Sequence, residues 1–216
     1  MKFFLAVLLS FLALVTYSQA TDFKFSTADN EDDAEAQRQQ AKVAALLLTP
    51  CRNKIKNQKI MVLIGEEHNG RVSTNQSLFS PHFDAINSRL QTMGLRTYTQ
   101  AQIRAQVAQA EIDAYFKNDP DAAISASRRL AAQYILRGYI STQASRNAII
   151  GVNQVNVRMS FTLTGSSGRT ISQASAEEVS YAGQDTSGMA LTLINEKADE
   201  VVATLYNDYC NQSGVR

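Results

Sequence analysis

Glu66, Glu67 and His68 stand side by side, the one place where two carboxylates and an imidazole are adjacent in the chain. Such groups can relay protons or hold a metal ion. Neighbouring residues point in different directions, though. No HExxH spacing accompanies them, and His82 is the only other histidine. The stretch Glu66 to Ser80 therefore reads as a polar, solvated loop. A metal-dependent hydrolase built on Glu66, Glu67 and His68 is the sharper alternative. Other chemistry finds fewer residues. No GxSxG elbow surrounds a serine, and Gly165-Ser-Ser-Gly168 reads as a turn. Gly65, Gly70 and Gly94 form neither GxGxxG nor a phosphate loop. Arg128-Arg129 on a helix reads as a solvated face, or as a salt-bridge patch for a partner. The expectation is a chain with no catalytic, cofactor-binding or metal-binding residues, and hence not an enzyme.

Cys51 and Cys210 are the only cysteines. With no CxxC pair to make a redox centre, in an oxidising compartment they are expected to form a disulfide joining the ends of the domain. Two unpaired thiols are the alternative. That compartment is suggested by the N-terminus, where Lys2 precedes an apolar run, Phe3 to Val15. Ser18 and Ala20 then offer small residues before a cut. The run is about 13 residues, short of the roughly 18 that a spanning helix needs. Residues 1–20 are thus expected to be a cleaved secretory signal, with no membrane-spanning segment in the mature chain. The formal charge of +1 includes Lys2, so the mature chain is neutral. Neutrality gives no argument for a nucleic-acid or anionic-membrane partner.

These residues must be positioned by the elements around them. Val155, Val157, Met159, Phe161 and Leu163 alternate with polar residues, the period of a strand with one buried face. After the Gly165–Gly168 turn, a partner strand is expected over roughly Arg169 to Val179. Lys59 to Gly65, KIMVLIG, reads as a central strand covered on both faces. Ser80-Pro81 opens a helix with Phe83, Ile86, Leu90 and Met93 on one face, and Gly94 closes it. A short strand follows at Leu95 to Tyr98. Alanine-rich helices extend to Phe116 and to Ala132, and Tyr134 to Ile140 is a strand broken by Gly138. A loop is expected from Ser141 to Gly151. The last helix carries Leu191, Ile194, Ala198, Val201, Val202, Leu205 and Tyr209 as a stripe that can cover the hairpin. The fold class is an α/β sandwich: a mixed sheet with parallel crossovers in the first half, an antiparallel hairpin in the second and a long C-terminal helix on top. Residues 21–50 read as an N-terminal arm with a helix, and 51–216 as a single domain.

The KIMVLIG strand, Met93-Gly-Leu-Arg, the run Ala131-Ala-Gln-Tyr-Ile-Leu-Arg-Gly-Tyr-Ile140 and the alternating strand ending at Thr164-Gly165 resemble the CsgG-like periplasmic superfamily. Its relatives include the curli secretion lipoprotein, an outer-membrane activator of a penicillin-binding protein, a flagellar assembly protein and the N-terminal domain of TolB. The resemblance spans roughly Lys59 to Cys210. It implies a non-enzymatic periplasmic subunit of a bacterial cell-envelope machine, a secretion system or flagellum near the outer membrane. Partners would be other envelope proteins, and a ring of identical copies is one form the assembly could take. A periplasmic regulator that binds and activates a peptidoglycan synthase is the alternative. The lipobox cysteine of several relatives is missing here, as are the long paired hairpins of the curli channel.

Overall fold

The computed structural model describes residues 26–68, 70–77 and 80–212. The expected signal segment, residues 1–20, lies outside them. In chain order the elements are α1 (Ser26–Leu47), α2 (Arg52–Ile55), β1 (Lys59–His68), β2 (Arg71–Ser73), α3 (Pro81–Thr92), β3 (Arg96–Thr97), α4 (Gln100–Gln106), α5 (Gln109–Phe116), α6 (Pro120–Leu130), β4 (Tyr134–Arg146), β5 (Asn153–Gly165), β6 (Thr170–Ala182) and α7 (Thr186–Gln212). The strands make one mixed sheet in the order β2-β1-β4-β5-β6, with β3 also pairing to β1. β1 is parallel to β3 and β4, each reached by a helical crossover. The β4–β5 and β5–β6 pairs are antiparallel. The result is the mixed α/β sandwich that the patterning implies.

Alternation along β1 divides the interior in two. Ile60, Val62 and Ile64 point to one face, where α3 contributes Phe83, Ile86 and Leu90 and α7 contributes Ile194, Ala198, Val201 and Leu205. Val155, Val157, Met159, Phe161 and Leu163 of β5 join this larger core, as their spacing predicts. Met61 and Leu63 point the other way, against Ile103, Ile112 and Phe116 of the shorter helices. Local signals set the helix starts. Ser80 Oγ accepts from Phe83 N–H at 3.1 Å, and Thr99 with Gln102 forms a capping box at α4.

Several boundaries differ from the expectation. β4 is not broken at Gly138 but runs unbroken to Arg146, through most of the predicted loop, because its polar half pairs residue by residue with β5 from Ser141↔Arg158 to Arg146↔Asn153. Backbone bonding extends a strand where side-chain pattern is silent. Gly138 has a packing role instead. A Cβ there would sit 2.3 Å from Phe161 Cε1 and 2.8 Å from Ile64 Cδ1, so the ring of Phe161 lies across the space that only glycine leaves. The helix expected to run to Phe116 divides into α4 and α5 at Val107, which is extended and buried in the second core. On α7, Leu193 is buried where Leu191 was expected.

Cys51 and Cys210 are joined by a disulfide, Cα atoms 5.6 Å apart, that closes a sequence separation of 159 residues. Both are buried with Ile55 and Tyr206 in a third small cluster. A loop that long makes the link worth about 4–5 kcal/mol on the chain-entropy model. It ties the start of the domain to the end of α7, whose stripe covers the hairpin.

Gly138→Ala is expected to cost about 2–3 kcal/mol, because the added methyl overpacks against an aromatic ring. Urea unfolding checks this, and pairing it with Phe161→Leu should recover part of the loss.

Candidate functional site

The carboxylate and imidazole residues sit at the C-terminal end of β1, where ligands collect in open α/β sheets. The structure corrects their expected setting: Glu66, Glu67 and His68 are strand residues rather than loop residues, paired antiparallel with Ser73, Val72 and Arg71. Between this pairing and that of Lys59 and Ile60 with β3, the edge of β1 has no strand neighbour among the described residues. Gln76, 1% exposed, fills the gap. Its Nε2 donates to Ile64 O at 3.0 Å and its Oε1 accepts from Ile64 N–H at 3.3 Å, the bonds a neighbouring strand would supply. Losing that amide would leave two buried backbone groups unpaired.

Strand parity then separates the three residues. Glu66 and His68 share the face of Ile60, Val62 and Ile64, whereas Glu67 projects to the opposite side. The start of α3 packs on the Glu66 side and brings Ser80 and His82 with it. Ser80 Oγ donates to Glu66 Oε1 at 2.8 Å. His82 Nδ1 comes within 3.2 Å of the same oxygen. His68 Nε2 lies 3.7 Å from Glu66 Oε2, and its Nδ1 is 3.2 Å from Thr142 Oγ1. Both histidines of the chain thus converge on one carboxylate. The pairing with His82 was not read from sequence, although a helix capped at Ser80 on the Glu66 face does place His82 in its first turn.

The His82 imidazole, helped by the Ser80 hydroxyl, holds Glu66 down at about 2 against its partial burial. A general base works best when its pKa lies near the working pH. Glu66 is far below that, with both oxygens engaged, so it acts as a joint between the end of β1 and the first turn of α3. Among the described residues no three His, Cys, Asp or Glu side chains are grouped to hold a metal ion. Glu67 instead lines an open polar groove with Tyr139, Ser141, Gln143, Arg158 and Glu177, on the part of the sheet beyond the short helices. There Arg158 Nε donates to Glu177 Oε1 at 2.8 Å.

Arg129 makes a two-pronged pair with Glu111, 2.7 Å at each prong, that fastens α6 to α5. Arg128 is exposed. An apolar cavity of about 40 Å³ lies beneath α7, lined by Ile60, Leu90, Tyr134, Leu136, Leu163 and Leu205. That volume is well under what a cofactor site takes.

Because folding lowers the Glu66 pKa from 4.5 to about 2, its contribution is complete above pH 4.5 and is lost as pH falls through about 2. The shift corresponds to about 2–3 kcal/mol after allowance for its exposure. Urea midpoints measured from neutral pH downward should drop more steeply for the wild type than for Glu66→Gln.

No family model matches the chain, and no curated protein matches it. Solved structures resemble it in part. Lipoprotein GNA1162 from Neisseria meningitidis is 14% identical with a TM-score of 0.46, over 67% of this chain and 97% of that one. The PelC dodecamer from Paraburkholderia phytofirmans is 16% identical with a TM-score of 0.41, over 69% and 87%. The LpoB C-terminal domain from Escherichia coli is 12% identical with a TM-score of 0.33, over 61% and 94%. Likeness at these values assigns no family and carries no argument about function.

Proposed function

We propose that the chain is a non-enzymatic subunit of a bacterial cell-envelope assembly outside the cytoplasm, near the outer membrane, and that it works by holding other proteins. A secretion or flagellar machine is the class of assembly meant. The observation that carries this reading is the second half of α1. Among the described residues no side chain of α1 is buried. Its last turn and the residue after it leave Leu47 and Leu48 37% and 80% exposed.

From Gln37 onward the helix rests on α7 through polar contacts. Lys42 pairs with Glu200, Gln39 Nε2 donates to Glu196 O at 3.2 Å, and just past the helix Thr49 Oγ1 donates to Asn207 Oδ1 at 2.8 Å. Exposed contacts of this kind contribute at most about 1 kcal/mol each. A helix is marginal by itself in water and takes its stability from an apolar face covered by a neighbour. The run Val43 to Leu48 offers such a face, and a neighbouring subunit is what would cover it.

Other observations agree. A disulfide spanning the domain suits an exported chain. The sequence resemblance to CsgG-like periplasmic domains supports the same reading. The carboxylate nearest two imidazoles is committed to a structural joint rather than poised as a base.

Leu47→Ser with Leu48→Ser should release the chain from its assembly while moving its own stability by about 0.5 kcal/mol or less, as expected for exposed positions. Size-exclusion chromatography with light scattering, on gently solubilised envelopes, makes the comparison. The wild type is expected well above monomer size and the double variant at monomer size. A wild type that elutes as free monomer would end this reading.

A further inference from the structure

The turn between β4 and β5 has an unusual combination of order and exposure. Asn147 N–H donates to Val152 O at 2.8 Å, and Gly151 N–H donates back to Asn147 O at 2.9 Å. The Asn147 side-chain oxygen accepts from Ile149 N–H at 3.0 Å and from Ile150 N–H at 3.3 Å. Gly151, at φ +69°, completes the reversal. None of these bonds calls for an apolar side chain. Yet the turn presents Ile149, 93% exposed, and Ile150, 56% exposed, with Val152 beside them. A hairpin tip made rigid by four hydrogen bonds thus holds two isoleucines out in solvent.

Tyr181 of β6 is 54% exposed and pairs with Gln154, two residues in from Val152. That places it about 7 Å back along the strand. Residues 147–157 carry no charge; exposed Arg146 pairs with Asn153, one residue nearer the tip than the Gln154–Tyr181 pair, and Arg158, farther back, donates to Glu177. On the β6 side residues 179–184 are uncharged, and the next residue, Asp185, has its Oδ1 accepting from Gly188 N–H at the start of α7.

We propose that this tip inserts into the surface of a lipid bilayer, with Ile149 and Ile150 in the acyl boundary, Tyr181 at headgroup level and Arg146 facing anionic headgroups. Three observations favour lipid over a protein pocket. The apolar element is a convex knob, which a fluid phase accommodates without a matching cavity. An apolar tip backed by Arg146 and Tyr181 at neighbouring registers matches a membrane interface, where cationic and aromatic side chains sit at headgroup level. Tyr181 lies about 7 Å behind Val152, at the base of the tip, a depth comparable with the roughly 5–10 Å that interfacial elements penetrate. No helix among the described residues is long and apolar enough to cross a membrane, so the contact is with the surface only. The inference does not rest on the assembly role proposed above, and it stands or falls separately from it.

Because the chain contains no tryptophan, Ile149→Trp installs a single reporter at the tip. With vesicles of phosphatidylcholine plus phosphatidylglycerol, its emission should shift to the blue. Co-sedimentation of the wild type with the same vesicles should exceed that with phosphatidylcholine alone. Ile149→Ser with Ile150→Ser should lower the bound fraction on the order of tenfold or more. Unfolding midpoints of the variants establish that they are folded. An unshifted tryptophan spectrum, a wild type left in the supernatant, or equal binding by the tip variant would overturn the proposal. So would a tip variant whose only change is a smaller oligomer in the absence of vesicles, since that would put the isoleucines in a protein pocket.

Discussion

The constraint on which the architecture depends is the need to cover one apolar face of a long antiparallel meander. β4, β5 and β6 are each 13 residues long, which gives strands of about 44 Å. Such a face cannot stay in water, and a short helix cannot cover it. α7, at 27 residues, is about 40 Å long. Its buried side chains meet those of β5 and β6 in the larger core. Lys197 pairs with Glu178 at 2.6 Å, and Ser172 donates to Asp208 at 2.6 Å, so polar contacts at the margins of the helix hold its register on the sheet. The disulfide then fixes the far end of α7 to the entry of the domain.

With that face closed, the rest of the molecule arranges itself around β1. Arg89 of α3 reaches Asp199 of α7 at 2.6 Å and also donates to Asn195 O at 2.8 Å, so the two helices on this face are joined to each other as well as to the sheet. The Glu66 joint fixes where α3 begins relative to the end of β1. Gln76 completes the hydrogen bonding of β1 where strands do not reach. Glu66, Gln76 and Ser80 are thus occupied with the construction of the fold itself. Exposed on the outside are the apolar end of α1, the polar sheet face around Glu67 and the β4–β5 tip.

Much of this was legible in the residues, for physical reasons. The β5 strand, the KIMVLIG strand, the Ser80 cap and the α7 stripe each follow from periodicities or capping rules that act over a few residues. The polar half of β4 was missed because its pairing is a backbone property, invisible to side-chain alternation. β2 was missed for a similar cause, since all three of its residues are exposed. Gly138 was read as a break because a missing side chain looks the same in sequence whether it marks a kink or a space for Phe161. At the candidate site, strand parity could have separated Glu67 from Glu66 and His68 at once. The arrival of His82 and the plugging by Gln76 depend on how α3 and the segment before it fold back on β1, which local pattern does not encode.

The proposed assembly requires the apolar end of α1 to be covered by another polypeptide in the cell. A photo-activated crosslinking residue placed at Leu48, with Arg128 on α6 as an exposed comparison position, tests it in living cells. Discrete higher-mass protein adducts at Leu48 and few at Arg128 are the predicted outcome. Absence of adducts at Leu48, or the same diffuse pattern at both positions, would contradict it.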